Sequence, residues 1–323
     1  MTAPFQTDSQ AIALTPDGPT IPALGVGTWA WGDSFFWSYG KDYTEADLLA
    51  AFQASVAAGV NFFDTAEIYG FGESERLIGR FLPQVDSAVA IATKYFPLPW
   101  RWSAKDVAAT LTASLDRLQL DSVELYQVHW PLDFLMGQKE LMNALANEVK
   151  QGRIKAVGVS NYSAQQMQEA HRYLAERGIP LAVNQVQYSL LHRQIETNGV
   201  LDTARQLNVN ILAYSPLAQG LLTGKYSASD DQKPSGARQL NPRFSKSGLT
   251  KIALVLQTLR TIAAAHDKTP AQVALNWLIC VGNVVPIPGA KNAQQASQNA
   301  GALGWFMTAA EHEQLGRVTQ NWR

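Results

Sequence analysis

Eight short apolar runs, at residues 24–28, 60–66, 89–95, 123–129, 154–160, 181–188, 209–215 and 284–288, recur along the chain. They are rich in Val and Ile and apolar on both faces, which suits strands buried within a parallel sheet. The first seven begin roughly 27 to 36 residues apart, the length of a strand–helix–strand unit. Amphipathic stretches fill the intervals. Thr44, Ser103 and Ser163 read as N-caps, and Thr269 precedes a proline at a first helical position. The interval before the eighth run is more than twice the others. It holds a Gly/Pro/Ser/Asp-rich loop over 216–248, then a helix over 250–266, then the helix from Pro270. A long irregular loop inside a compact domain is usually functional. Before the first run, residues 11–14 and 20–22 flank a Pro-Asp-Gly turn and read as a hairpin. Eight such units in series predict an α/β fold, a (β/α)8 TIM barrel with an N-terminal β-hairpin and a long loop after strand 7, as one domain over 1–323.

Composition narrows the function. Apolar residues make up 46% and charged residues 16% of the 323, which excludes disorder and fits a large core. No uncharged apolar run approaches the length of a membrane span, and the start Met1-Thr2-Ala3-Pro4-Phe5 lacks a secretory pattern. The expectation is a cytoplasmic protein with no membrane and no nucleic-acid partner, since the net charge is -1. Cys280 is the only cysteine, and the five histidines form no HExxH pair, so no metal site is expected.

In a barrel of this kind the active site gathers at the carboxyl ends of the strands. Strand 2 ends in Asp64-Thr65-Ala66-Glu67-Ile68-Tyr69, strand 3 in Lys94-Tyr95 and strand 4 in His129-Trp130. Three adjacent strands therefore bring Asp64, Tyr69, Lys94 and His129 together. A phenol is a poor acid at neutral pH, and a nearby ammonium lowers its pKa while a carboxylate keeps that ammonium charged. Tyr69 beside Lys94, with Lys94 paired to Asp64, reads as a tuned proton donor, and His129 as a hydrogen-bond donor to a carbonyl oxygen. The set contains no Ser or Cys nucleophile with a base, and Glu67 has no acidic partner. Aromatic residues crowd the first, third and fourth strand ends: Trp29, Trp31, Phe35, Phe36, Trp37, Tyr95, Phe96, Trp100, Trp102 and Trp130. An apolar, stacking pocket follows, with Trp29 and Trp31 over it and Arg101 near its rim.

At these residues the sequence resembles the aldo-keto reductase family. The likeness runs through Asp64-Thr65-Ala66-Glu67-Ile68-Tyr69-Gly70, Ile91-Ala92-Thr93-Lys94 and Leu125-Tyr126-Gln127-Val128-His129. It continues in Gly158-Val159-Ser160-Asn161, Asn184-Gln185-Val186, Ala213-Tyr214-Ser215-Pro216 and Pro286-Ile287-Pro288-Gly289-Ala290-Lys291. The resemblance implies an NADPH-dependent enzyme that reduces aldehydes or ketones, with Asp64, Tyr69, Lys94 and His129 as catalytic residues and a small-molecule carbonyl as substrate. It implies that Ser160, Asn161 and Gln185 bind the nicotinamide carboxamide and that Tyr214 stacks on the ring. Gly27, Thr28, Trp29, Ser215, Pro216, Leu217, Gln219, Gly220, Lys225, Pro288 and Gly289 complete the implied contacts with NADPH or NADP+. Lys291, Gln295, Gln298 and Asn299 fall at the adenosine 2'-phosphate and adenine, and the long loop is expected over the cofactor. Gln295 and Gln298 depart from the arginine and glutamate that several family members carry, which leaves Lys291 as the clearest cation.

Two other readings stay open at this point. A regulatory subunit of the same family would bind the cofactor and act through a partner. A barrel lyase or aldolase would use Lys94 as a Schiff-base amine.

Overall fold

The computed structural model describes residues 11–132, 136–226 and 241–323. Its central sheet has eight parallel strands: β3 (Val26–Gly27), β4 (Phe62–Asp64), β5 (Ala90–Tyr95), β6 (Leu125–Val128), β7 (Val157–Ser160), β8 (Leu181–Gln187), β9 (Asn210–Tyr214) and β10 (Val284–Pro286). Each lies within one of the eight apolar runs. Strands β1 (Ala11–Ala13) and β2 (Thr20–Pro22) pair antiparallel as the expected hairpin.

The first and last strands close the ring. Gly25 N–H donates to Pro286 O and Gly27 N–H to Pro288 O, both at 3.0 Å. Proline has no N–H, so at Pro286 and Pro288 nothing returns across this seam. The approach is close. A Cβ on Gly25 would lie 2.6 Å from the Phe62 ring, and one on Gly27 would lie 2.8 Å from Ile287 O. The fold is a (β/α)8 barrel.

Period-two alternation sorts the strand side chains. Phe62, Ala92, Leu125, Ala156, Leu212 and Val285 point inward and pack with Leu14 and Ile21 of the hairpin into a buried floor. Hairpin and barrel are also joined by Asn210 Nδ2, which donates to Ala13 O at 3.0 Å. Two residues along from that floor, Asp64, Lys94 and Gln127 stand on the same inward face, toward the carboxyl end. The alternate residues, among them Phe63, Ile91, Tyr126 and Val159, pack outward against the helices.

Those helices are α1 (Glu45–Ala57), α2 (Glu73–Phe81), α3 (Ala104–Leu118), α4 (Gln138–Lys150), α5 (Ala164–Ala175), α6 (Val200–Gln206), α7 (Lys246–Lys251), α8 (Ala253–Ala265), α9 (Pro270–Ile279), α10 (Ala293–Ala300) and α11 (Ala309–Val318). Thr44, Ser103, Ser163 and Thr269 each form a capping box at the start expected of them. The helix expected over 250–266 is two helices, because Ile252 leaves helical geometry at φ -98° and ψ 2°. The part of the long loop at 227–240 lies outside the described residues.

Candidate active site

The carboxyl end of the barrel holds a cavity of about 840 Å³. Asp64, Tyr69 and His129 line it, as do all the residues that the resemblance assigned to cofactor binding: Gly27, Thr28, Trp29, Ser160, Asn161, Gln185, Tyr214, Ser215, Pro216, Leu217, Gln219, Gly220, Lys225, Pro288, Gly289, Lys291, Gln295, Gln298 and Asn299. Residues from separate strand ends thus converge on one space. Trp37 and Trp130, two of the aromatic residues expected around the pocket, also face it, as do Ile68 and the segment Thr269-Pro270-Ala271, which were unassigned from sequence.

Lys94 is fully buried beneath the cavity. Its ammonium donates to Asp64 Oδ2 at 2.6 Å, to Thr65 O at 2.8 Å and to the Tyr69 hydroxyl at 3.4 Å. Burial works against its charge, yet Asp64 and Tyr69 outweigh that and raise the Lys94 pKa. A charged, buried, ion-paired amine is unsuited to Schiff-base chemistry, which needs a free neutral amine. The lyase reading therefore falls.

The other oxygen of Asp64 accepts from Gln127 Nε2 at 2.9 Å and from Gln185 Nε2 at 2.8 Å. Gln127 was not singled out from the sequence. Its signal was its place two residues before His129, on the same inward face of β6. Room for it comes from Gly158, where a Cβ would lie 2.8 Å from Gln127 Cγ and 2.5 Å from Val183 Cγ2. Gln185 is only 2% exposed, and its amide nitrogen is committed to Asp64 and, at 3.2 Å, to Gln127 Oε1.

Tyr69 departs from the sequence reading in one respect. Burial raises its pKa and Asp64 adds to this, while Lys94 opposes it without prevailing. The phenol is held protonated, as a donor must be, and Lys94 only moderates the rise. His129 is neutral: burial, with Lys94's charge adding, pushes its pKa down to about 2.

The wall beyond them is tightly bonded. Asn161, at φ 61°, donates to Ser160 Oγ at 3.1 Å and accepts from the Tyr214 hydroxyl at 3.1 Å. Ser215 and Gln219 also hold left-handed backbone, at φ 51° and 57°. Left-handed non-glycine residues cluster where surrounding structure enforces a site's shape.

A model of the aldo/keto reductase family matches residues 23–319. The chain belongs to that family. This aldo-keto reductase is 40% identical over 314 residues to the chloroplastic pyridoxal reductase of Arabidopsis thaliana, covering 92% of this chain and 83% of that protein. Among solved structures it resembles the glycerol dehydrogenase of Gluconobacter oxydans, with a TM-score of 0.83, 28% identity and coverage of 97% and 95%. It likewise resembles an aldo-keto reductase from Klebsiella pneumoniae solved in complex with NADPH, with a TM-score of 0.75, 28% identity and coverage of 97% and 96%.

Within the aldo-keto reductase site, one sequence reading changes. Trp31 does not face the cavity; it is fully buried, bonds Ala290 O through Nε1 at 2.9 Å and packs on Phe63 and Phe81. Trp29 does face it, stacked on Phe36 at 5.1 Å. Glu67 pairs with a base that the sequence reading did not join to it: Arg101 grips both its oxygens at 2.6 and 2.9 Å. The Lys291 ammonium donates to Trp37 O at 3.1 Å and lies over the rings of Trp37 and Tyr43. No helix of the described residues is long and apolar enough to cross a membrane.

Proposed function

We propose that the chain reduces aldehydes or ketones to alcohols with NADPH, Tyr69 giving the proton. The observation that carries the reading is the chain of contacts from Asp64 through Lys94 to the Tyr69 hydroxyl, which lies at the cavity wall beside a neutral His129. A phenol kept protonated by burial, in reach of an ammonium that stabilises the phenolate once the proton has left, is a reversible acid. His129 donates a hydrogen bond to the carbonyl oxygen and so stabilises its developing negative charge.

The cavity fits the dinucleotide. Glycines 27 and 289 leave main chain bare at its wall, Tyr214 offers a flat face held by Asn161, and Lys225 and Lys291 supply cations for phosphates. Bound there, NADPH supplies the hydride. Ser160, Asn161 and Gln185 orient the carboxamide, and Lys291, Gln295, Gln298 and Asn299 meet the adenosine end. Trp29, Ile68 and Trp130 offer the substrate apolar, partly exposed surface.

NADPH oxidation followed by absorbance across a panel of aromatic and aliphatic aldehydes and ketones, pyridoxal among them, tests this. Turnover with NADPH above that with NADH supports the reading. Cofactor binding without turnover of any carbonyl would favour the regulatory alternative instead.

A further inference from the structure

The imidazole of His129 is poorly tethered for a group with an orienting task. Its main chain is fixed, with N–H donating to Tyr95 O at 2.9 Å and the carbonyl accepting from Asn161 at 3.3 Å. Its Nδ1 is buried with no hydrogen-bond partner among the described residues. A buried unpaired acceptor is more easily tolerated than a buried unpaired N–H, so the proton belongs on Nε2. Metal-ligating and catalytic histidines are commonly oriented by a bond to the second ring nitrogen. Here packing must do that work.

Two rings supply it. The Tyr69 ring meets the imidazole edge-on at 5.7 Å and 82°, and the Phe96 ring meets it at 5.6 Å and 78°. Tyr69 is itself a reacting group, which leaves Phe96 as the independent support. Phe96 is held on both sides of its main chain. Its N–H donates to Glu67 Oε1 at 2.7 Å, and its carbonyl accepts from Arg101 Nη1 at 2.8 Å. Arg101 and Glu67 then close on each other in the two-pronged pair, with side chains only 18% and 8% exposed. Glu67 lies three residues beyond Asp64 and Phe96 two beyond Lys94, so the clamp joins the ends of β4 and β5.

We propose that Glu67 and Arg101 are positioning residues: by clamping the main chain of Phe96 they seat its ring against His129 and fix the imidazole's orientation toward the carbonyl. The catalytic consequence rests on the reading of His129 as the carbonyl's hydrogen-bond donor. A planar guanidinium reaches Glu67 and the Phe96 carbonyl together, which a lysine ammonium does not do equally well. Small misplacements of a catalytic group cost as much as about a hundredfold in rate.

Glu67→Ala would strand a largely buried guanidinium and endanger the fold, so Phe96→Leu and Arg101→Lys carry the test. Each should lower kcat about tenfold or more while the Kd for NADPH, read by fluorescence, stays unchanged. Phe96→Leu should cost nothing further in a His129→Ala background, because it acts through that ring. Multiplying losses in the double variant would overturn the proposal. Nitrogen-15 NMR of the His129 imidazole gives a readout without turnover. The unmodified protein should show one form protonated at Nε2, and both variants a mixture. A His129 signal that neither variant moves overturns the clamp, whereas a protein with the expected signals and no carbonyl reduction overturns the functional reading alone.

Discussion

Lys291 donates its ammonium to the main-chain oxygen of Trp37 at 3.1 Å and lies 4.7 Å from the centre of that ring. The cation is anchored on the first strand-to-helix loop, close to where a 2'-phosphate is expected. Lys291→Ala should weaken NADPH binding by about ten- to a hundredfold, the worth of a charge-assisted hydrogen bond, with NADH nearly unaffected. Titrations with both cofactors decide it, and equal losses would make Lys291 a loop anchor only.

Tyr69→Phe removes the proton and leaves the ring. The kcat should fall on the order of a hundredfold or more, with cofactor affinity retained. Near-normal turnover would reassign the donor.

The pH dependence follows from the direction of the Tyr69 shift. Burial raises its pKa, so the acid form persists through neutral pH and the rate of reduction should decline only on the alkaline side. Lys94 opposes that rise, so Lys94→Met should move the alkaline limb upward in pH while depressing the plateau. The same variant leaves Asp64 buried without its counter-charge, a loss of about 3–5 kcal/mol that a denaturant titration would register. Adding Asp64→Asn should restore much of the stability but not the rate.

Gln127→Leu deletes one donor to Asp64 Oδ1 and leaves only Gln185 there. A decrease in stability of about 1–3 kcal/mol is expected, measured by chemical unfolding. An unchanged midpoint would mean that Gln185 alone satisfies that oxygen.

The barrel was legible because its strands carry no competing pattern. A run such as 284–288 is apolar on both faces, and only a sheet covered on both sides buries it. Caps with a side chain three residues on, as at Ser103 and Ser163, were local and readable. Helix α11 carries the same signal in Thr308 and Glu311, and it went unread because it follows the last barrel strand. The break at Ile252 has no marker in its own residues. In the site, Asp64, Tyr69, Lys94 and His129 were legible because strand order alone puts them side by side. Gln127 hid as one polar residue in an apolar strand. Arg101 and Glu67 lie 34 positions apart on two loops, and no periodicity links loops. The direction of the Tyr69 shift needed its burial, which a sequence does not state.

The seam between β3 and β10 has a consequence for how the barrel breathes. With prolines at 286 and 288, two amides of one strand hold two carbonyls of the other and receive nothing back. Elsewhere in the ring, neighbouring strands exchange bonds in both directions. Local openings follow the least-bonded boundary, so the amides of Gly25 and Gly27 should surrender their protons to solvent sooner than those of β5 or β6. Gly27, Pro288 and Gly289 also line the cavity, so the same boundary is part of its wall. A molecule lodged there would lie across the joint as a brace, slowing exchange at the two glycines first and by more than anywhere else in the ring.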